Sequence, residues 1–263
     1  MVVNDDGIDA PGLDLLARAA RSHTDDVWVV APATNQSAKS RSMSFRAEVE
    51  VQSLGPRTLA VHGTPVDCTL VGLNGLIPGR RPDLVLSGVN SGGNLADDVG
   101  FSGTVGACLE SAQEGVPAIA FSQNRAGPKL VKPNPVDWSC SEALCAGLLP
   151  LLTAAINTPG TVLNVNFPAV SSPGQLQGLD VTHCGWRNAP TLVEERPRSG
   201  DRRVFMIAPL RDNVANEPQC DLGRTGAGYV TVTPIVLDAT DHTRLPEVRD
   251  GLDAIDLASV WQA

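Results

Sequence analysis

Near its start the chain reads VVNDDGIDAPG, Val2 to Gly12. Two apolar residues run straight into Asn4, Asp5, Asp6 and Gly7. Adjacent carboxylates repel each other, and a charged group resists burial unless something opposite is supplied. Two readings stand side by side. Asp-Gly is an ordinary turn signal, and a polar residue after a strand often caps the next helix. Alternatively, a cation sits between the two charges, since paired carboxylates suit a hard divalent ion such as Mg²⁺ or Mn²⁺.

Other polar groups follow apolar runs in the same way. VWVVAP (Val27–Pro32) leads into ATNQSAKSRS, which holds Asn35, Ser37 and Ser40. DLVLSG (Asp83–Gly88) leads into VNSGGN, with Asn90 and Asn94. If these runs are parallel strands of one sheet, their ends share an edge. Two carboxylates, a hydroxyl and an amide then gather there, an all-oxygen donor set. The four histidines (His23, His62, His183, His242) show no metal-ligand spacing, which argues against a zinc site.

A second feature is GFSGTVGACLE, Gly100 to Glu110. Ser102, Gly103 and Thr104 open a helical pattern whose first turn is small. Its free N–H groups and positive end suit a phosphate. The plainer reading is that Ser102 or Thr104 caps the helix. No GxxxxGK[ST] loop occurs, the lysines being Lys39, Lys129 and Lys132 alone, and no GxGxxG follows the first strand. Gly100–Thr104 approaches a GxSxG elbow but ends in Thr, which weakens a serine nucleophile.

These groups need a scaffold, and the chain spells one out. Met1–Val3 is the end of a strand that is either very short or trimmed. Leu13, Leu16, Ala17 and Ala20 recur at helical spacing behind Pro11. RAEVEVQ (Arg46–Gln52) alternates as a half-buried strand does, and TLAVHG (Thr58–Gly63) is a partner for it. Thr64 before Pro65 reads as a cap and first turn, with a helix to about Leu76. A helix over Gly103–Glu114 precedes the strand PAIAFS (Pro117–Ser122). The segment from Gln123 to Pro135 reads as a loop. A helix over Asp137–Leu152 turns Trp138, Leu144, Leu148, Leu151 and Leu152 inward, and TVLNVNFP (Thr161–Pro168) closes the series. Strands alternating with helices imply a Rossmann-like, doubly wound α/β fold with a mainly parallel sheet. Ligands then sit beyond the carboxyl ends of the strands.

After Pro168 the composition shifts to Pro, Gly, Arg and Asn, with short runs such as RRVFMIAPL and the strand GYVTVTPIVLD (Gly228–Asp238). We read residues 1–168 as a Rossmann-like catalytic core. Residues 169–263 form a β-rich extension of the same domain, with a terminal helix over Leu252–Trp261 and a role in oligomerisation. The 263 residues are 42% hydrophobic and 19% charged, enough to bury a core without staples. A net charge of -9 argues against a stable nucleic-acid complex. The six cysteines form no CxxC pair, no signal peptide is evident and no apolar run reaches membrane-spanning length. Free thiols, no membrane contact and a cytoplasmic location are expected.

The motifs as a set resemble the survival protein SurE family of metal-dependent nucleotide phosphatases. The matching stretches are VNDDGIDAPGL (Val3–Leu13), VVAPATNQS (Val29–Ser37), GTPVDC (Gly63–Cys68), DLVLSGVNSGGN (Asp83–Asn94), SGTVGACLE (Ser102–Glu110), VPAIAFS (Val116–Ser122), LNVNFP (Leu163–Pro168) and GYVTVTP (Gly228–Pro234). They fall in family order across most of the chain. The resemblance implies one divalent cation per subunit (Mg²⁺ or Mn²⁺), held by Asp5, Asp6, Ser37 and Asn90. It also implies that Ser102, Gly103 and Thr104 hold the phosphate, with Asn94 in the same pocket loop. The implied substrate is a nucleoside 5'- or 3'-monophosphate, and the implied assembly a homodimer or homotetramer. Three departures stand out: a shorter first strand, Ala33 where an acidic residue is common, and Phe101 where His or Tyr is common.

On this basis phosphomonoester hydrolysis is expected, with Asp5 or Asp6 as the catalytic proton acceptor and water attacking directly. Two alternatives share the fold: a non-catalytic nucleotide- or metabolite-binding regulatory module, and a metal-independent esterase, which would need a serine beside His62 or His183.

Overall fold

The computed structural model describes residues 1–127, 134–156, 160–187, 191–197, 202–209 and 217–253. The first strand, β1 (Val2–Val3), is followed by helix α1 (Pro11–Arg21), β2 (Val29–Pro32), β3 (Val51–Gly55), β4 (Thr58–Val61) and α2 (Pro65–Val71). Then come β5 (Val85–Ser91), α3 (Gly103–Gln113), β6 (Ala118–Gln123), α4 (Ser139–Ala155) and β7 (Thr161–Phe167). The remainder carries β8 (Gly178–Val181), β9 (Thr191–Arg196), β10 (Val204–Pro209), α5 (Asp221–Gly226), β11 (Tyr229–Val236) and α6 (Leu245–Leu252).

The main sheet has the order β3-β4-β2-β1-β5-β6-β7-β11-β8. Its pairings are parallel except β3–β4 and β7–β11. Successive strand residues face opposite sides, so a strand buried on both faces feeds two cores. Val2, Val29, Leu86 and Ile119 join α1 and α4 in one cluster. Val3, Val30, Val85 and Ala118 pack with Val105 of α3 and Cys68 of α2 in the other. The expected doubly wound α/β architecture is therefore present. From β1 the chain winds outward through β2, then returns to lay β5 on the other side of β1. That reversal opens a crevice beyond the ends of β1 and β5.

Several local expectations need correction. RAEVEVQ is not a strand from Arg46: β3 begins at Val51, and Arg46 has a left-handed φ of 58°. The β3–β4 hairpin turns over Gly55–Thr58, and that turn fixes which residues pair. The α2 pattern ends at Val71 and widens into a π-helical turn over Gly72–Leu76. On α4 Leu151 is exposed, while Cys140, Cys145, Leu149 and Leu152 point inward. A helix does occupy Leu245–Leu252, but the expected one over Leu252–Trp261 lies mostly outside the described residues. Part of the Gln123–Pro135 loop also lies outside them. Among the described residues no helix is long and apolar enough to cross a membrane.

The start of α2 anchors the long segment between β2 and β3. Thr64 and Asp67 form a reciprocal capping box: the Thr64 hydroxyl accepts from the Asp67 N–H, and Asp67 accepts from the Thr64 N–H. Asp67 is buried and also accepts from the Ser44 N–H and hydroxyl at 2.9 and 2.8 Å. Asp67→Ala would leave these half-buried donors without their acceptor, a loss of about 2 kcal/mol. Urea denaturation should show a lowered midpoint at an unchanged slope.

Candidate active site at the ends of the first and fifth strands

The polar turn after β1 builds itself. The Asn4 side chain donates to the Gly7 carbonyl at 2.8 Å and accepts from the Gly7 N–H at 3.3 Å. Gly7 has φ +106°, a conformation that a side chain at this position would strain. The turn leaves Asp5 buried and Asp6 half-buried, facing neighbouring loops.

Three segments close on this pair. The Gln36 N–H donates to the Asp5 carbonyl at 2.7 Å, fixing the loop after β2. In that loop Asn35 donates to Asp6 Oδ1 at 3.4 Å and accepts from the Ser37 N–H at 2.9 Å. From β5 the Ser91 N–H donates to Asp6 Oδ2 at 2.8 Å, with Asn90 adjacent and half-buried. Asn90 and Ser91 lie within the last residues of β5 rather than in the loop beyond it. From α3 the Thr104 hydroxyl donates to Asp5 Oδ1 at 2.6 Å. The helix comes so close that a Cβ on Gly103 would sit 2.8 Å from Asp5 Cβ, so only glycine fits there.

The residues expected at an anion site are placed differently from a simple reading of their sequence. Ser102 is buried, and its hydroxyl accepts from the Val105 N–H as the α3 cap. The Thr104 hydroxyl is committed to Asp5. The backbone here is buried too: the Thr104 N–H faces the Asp5 carboxyl and pulls its pKa down, while among the described residues the Gly103 N–H has no protein acceptor. Asn94 is buried, donating its amide to Ser122 Oγ at 2.8 Å. Its N–H goes to Asn166 Oδ1, and its carbonyl accepts from Asn164 and Asn166.

Two residues absent from the sequence reading join the site. Arg125, just beyond β6, donates to the Ser91 carbonyl at 2.8 and 3.1 Å and to Ser91 Oγ at 2.5 Å. It thereby holds the Ser91 N–H that contacts Asp6. No local pattern marks Arg125 or Ser91. The Asn164–Asn166 clamp does leave a trace: two asparagines two apart on a strand that is otherwise apolar.

Burial dominates the electrostatics. It pushes the Asp5 carboxyl up to about 6; the Thr104 bond pulls it down and repulsion from Asp6 raises it further. Burial also raises Asp6, while the Ser91 N–H and the Arg125 charge pull it back. A divalent cation would relieve both costs. The donors suit one. Among the described residues Asp5 Oδ2, the Asn90 amide oxygen and the Ser37 hydroxyl accept no hydrogen bond from the chain. Nor is there, among those residues, a group of three His, Cys, Asp or Glu that could hold a metal. The fit is thus to a hard ion held partly by neutral oxygens. A cavity of about 590 Å³ lies elsewhere, at the opposite edge of the sheet between Met1, Trp28 and Leu149, and contains none of these residues.

A family model described as "Survival protein SurE" matches residues 1–191. A protein named 5'-nucleotidase SurE from Paramagnetospirillum magneticum is 38% identical over 258 residues, covering 98% of this chain and 94% of that protein. One of the same name from Rhodopseudomonas palustris (strain BisB18) is 41% identical over 244 residues, covering 92% and 94%. Among solved structures, the SurE protein from Aquifex aeolicus superposes with a TM-score of 0.79 at 30% identity, covering 95% of this chain and 97% of that one.

The raised Asp5 value has a consequence for stability. The folded chain binds this proton more tightly than the unfolded chain, so its contribution is full below about 3.8 and is lost as pH rises through about 6. With metal chelated at pH 7.5, Asp5→Asn should therefore be more stable than wild type, by on the order of 2 kcal/mol. The gain should shrink toward zero near pH 4. Thermal melts of both proteins across pH, with chelator present, check this.

Proposed function

The chain belongs to the Survival protein SurE family, and we propose that it acts there as a metal-dependent nucleotide phosphatase. Its substrates are nucleoside 5'-monophosphates, with 3'-monophosphates as a second class to be separated by assay. The products are nucleoside and phosphate. The observation that carries the reading is the 2.6 Å bond from Thr104 to Asp5. It joins a desolvated carboxylate, suited to a cation, to the positive start of a helix, suited to a phosphate.

In this reading Asp5, Asp6, Ser37 and Asn90 hold one divalent cation, Mg²⁺ or Mn²⁺, per subunit. Bound there, the ion supplies polarisation of a phosphoryl oxygen and greater acidity of a water molecule. The chain's own groups do the rest. The Gly103 N–H and the positive end of α3 bind the phosphoryl oxygens, and Ser102 keeps that turn helical by capping it. Asn94, clamped by Asn164 and Asn166, sets where the pocket loop turns. Asp6 is the more open carboxylate, and its Oδ1 is held only at 3.4 Å by Asn35. We assign it the proton of the attacking water. Thr104 and Gln36 fix Asp5 as the buried partner. Direct attack by water requires no serine, and both candidate hydroxyls in α3's first turn are already committed as donor or cap. A non-catalytic module that bound no cation would leave the cost of the buried Asp5 carboxylate unexplained.

We also place the chain in a reducing, cytoplasmic setting, a reading supported by six free cysteines of which five are buried. We propose that residues 169–263 form one domain with residues 1–168 and help build a homodimer or homotetramer. Exposed Leu179 and Val181 on the edge strand β8, and exposed Phe205 and Ile207 on β10, support that use.

Assay of a panel of nucleoside 5'- and 3'-monophosphates with Mg²⁺, Mn²⁺ or chelator tests the activity. Asp5→Asn and Asp6→Asn should each lower metal-dependent kcat/KM by about 10³-fold, roughly 4 kcal/mol of the barrier. Near wild-type turnover in both variants would sink the assignment.

A further inference from the structure

The turn between β5 and α3 is held from outside by the C-terminal extension. Residues Ala96–Phe101 form a single 3₁₀ segment that runs into the Ser102 cap of α3. It begins on Ala96 at φ +54°, a left-handed backbone that a non-glycine residue adopts only when its surroundings hold it there. The Ala96 N–H donates to Asp221 Oδ2 at 2.8 Å. The other Asp221 oxygen accepts from the Gly185 and Leu222 N–H groups at 2.8 and 2.7 Å. Next to it, Arg187 donates to Asp98 Oδ2 at 2.7 Å and lies 3.8 Å from Asp97. The Arg187 side chain is fully buried. Leu95 and Ala96 pack with Cys220 and Leu222 in a small apolar cluster of their own. The far end of the turn is tied to the loop after β2: Ser40 donates from its N–H to the Phe101 carbonyl at 3.1 Å and from its hydroxyl to the Gly100 carbonyl at 2.8 Å.

We propose that Arg187 and Asp221 are positioning residues for the phosphate-binding start of α3, gripping the Ala96–Phe101 turn so that the Gly103 N–H and the positive end of the helix meet the phosphoryl group. The proposal rests on the reading of that helix start as the anion site. A buried guanidinium shared by two aspartates is a costly arrangement unless its geometry is fixed, and once fixed it resists displacement. The extension thus completes the site of the chain that carries it. Besides the Thr104 bond, the carboxylate pair is supported through Gln36, Asn35, Ser91 and the Asn4–Gly7 turn, none of which comes from the extension.

The grip separates two affinities that a general loss of structure would lower together. In Arg187→Met the KM for a nucleoside monophosphate and the inhibition constant of inorganic phosphate should rise 10-fold or more. Calorimetric affinity of the substrate-free protein for Mn²⁺ should stay within about three-fold, and Arg187→Lys should recover part of the loss. If Arg187→Met folds poorly, Arg187→Met combined with Asp98→Asn removes the negative charge that faces Arg187 and should show the same split. Phosphate inhibition and KM unchanged in the folded variant would overturn the positioning role. So would phosphate and Mn²⁺ affinities that fall in parallel. Absence of phosphate inhibition in wild type would remove the anion site itself, and this proposal with it.

Discussion

The hydrogen bond from the Thr104 hydroxyl to Asp5 ties the start of α3, the proposed phosphate site, to the buried carboxylate proposed to hold a cation. Much else serves that juxtaposition. A carboxyl held at the edge of a dry sheet is driven toward its neutral form, and Asp6 beside it makes this worse. The bond, the Gly103 approach and the Asn4–Gly7 turn keep Asp5 in place despite that cost. The strand order supplies the location. Only where the chain reverses direction across the sheet do two adjacent parallel strands, β1 and β5, diverge into loops on opposite faces. Asp5 and Asp6 end one of these strands, and Asn90 and Ser91 end the other.

Stability and function therefore pull in opposite directions here. The two apolar clusters, above and below the sheet, provide the surplus that the site draws on. Strands with residues buried on both faces are suited to this, because each contributes to both clusters. The polar interior is organised rather than merely tolerated. Asn164 and Asn166 hold Asn94, Arg125 holds Ser91, and Asp221 holds three N–H groups at once. Each turns a loop into a defined shape without relying on apolar packing.

What could be read from the sequence follows from how local each cause is. Apolar runs such as DLVLSG and PAIAFS announce buried strands because both faces of the sheet are covered. Thr64-Pro65 announces a helix start because the cap and its partner Asp67 are three residues apart. Asp5, Asp6, Ser37 and Asn90 could be gathered because parallel strands bring their ends to one edge. Long-range causes left less trace. The alternation over Arg46–Gln52 is real, yet strand pairing begins at Val51 because the following turn sets the register. Leu151 fits a helical stripe but falls just outside the buried face. Ser102 and Thr104 were legible as a helix opening, whereas the commitment of the Thr104 hydroxyl to Asp5 spans 99 residues of chain. Arg125 and Arg187 belong to no motif; their roles arise from partners 34 and 89 residues away.

In the proposed function the carboxylate pair holds a cation beside the start of α3. Crystals grown with Mn²⁺ and measured for anomalous scattering test it most directly. One manganese peak per chain is expected, within coordination distance of Asp5 and Asp6, with Ser37 and Asn90 in its shell. A well-occupied peak elsewhere, or none at Asp5 and Asp6 under saturating Mn²⁺, would contradict it.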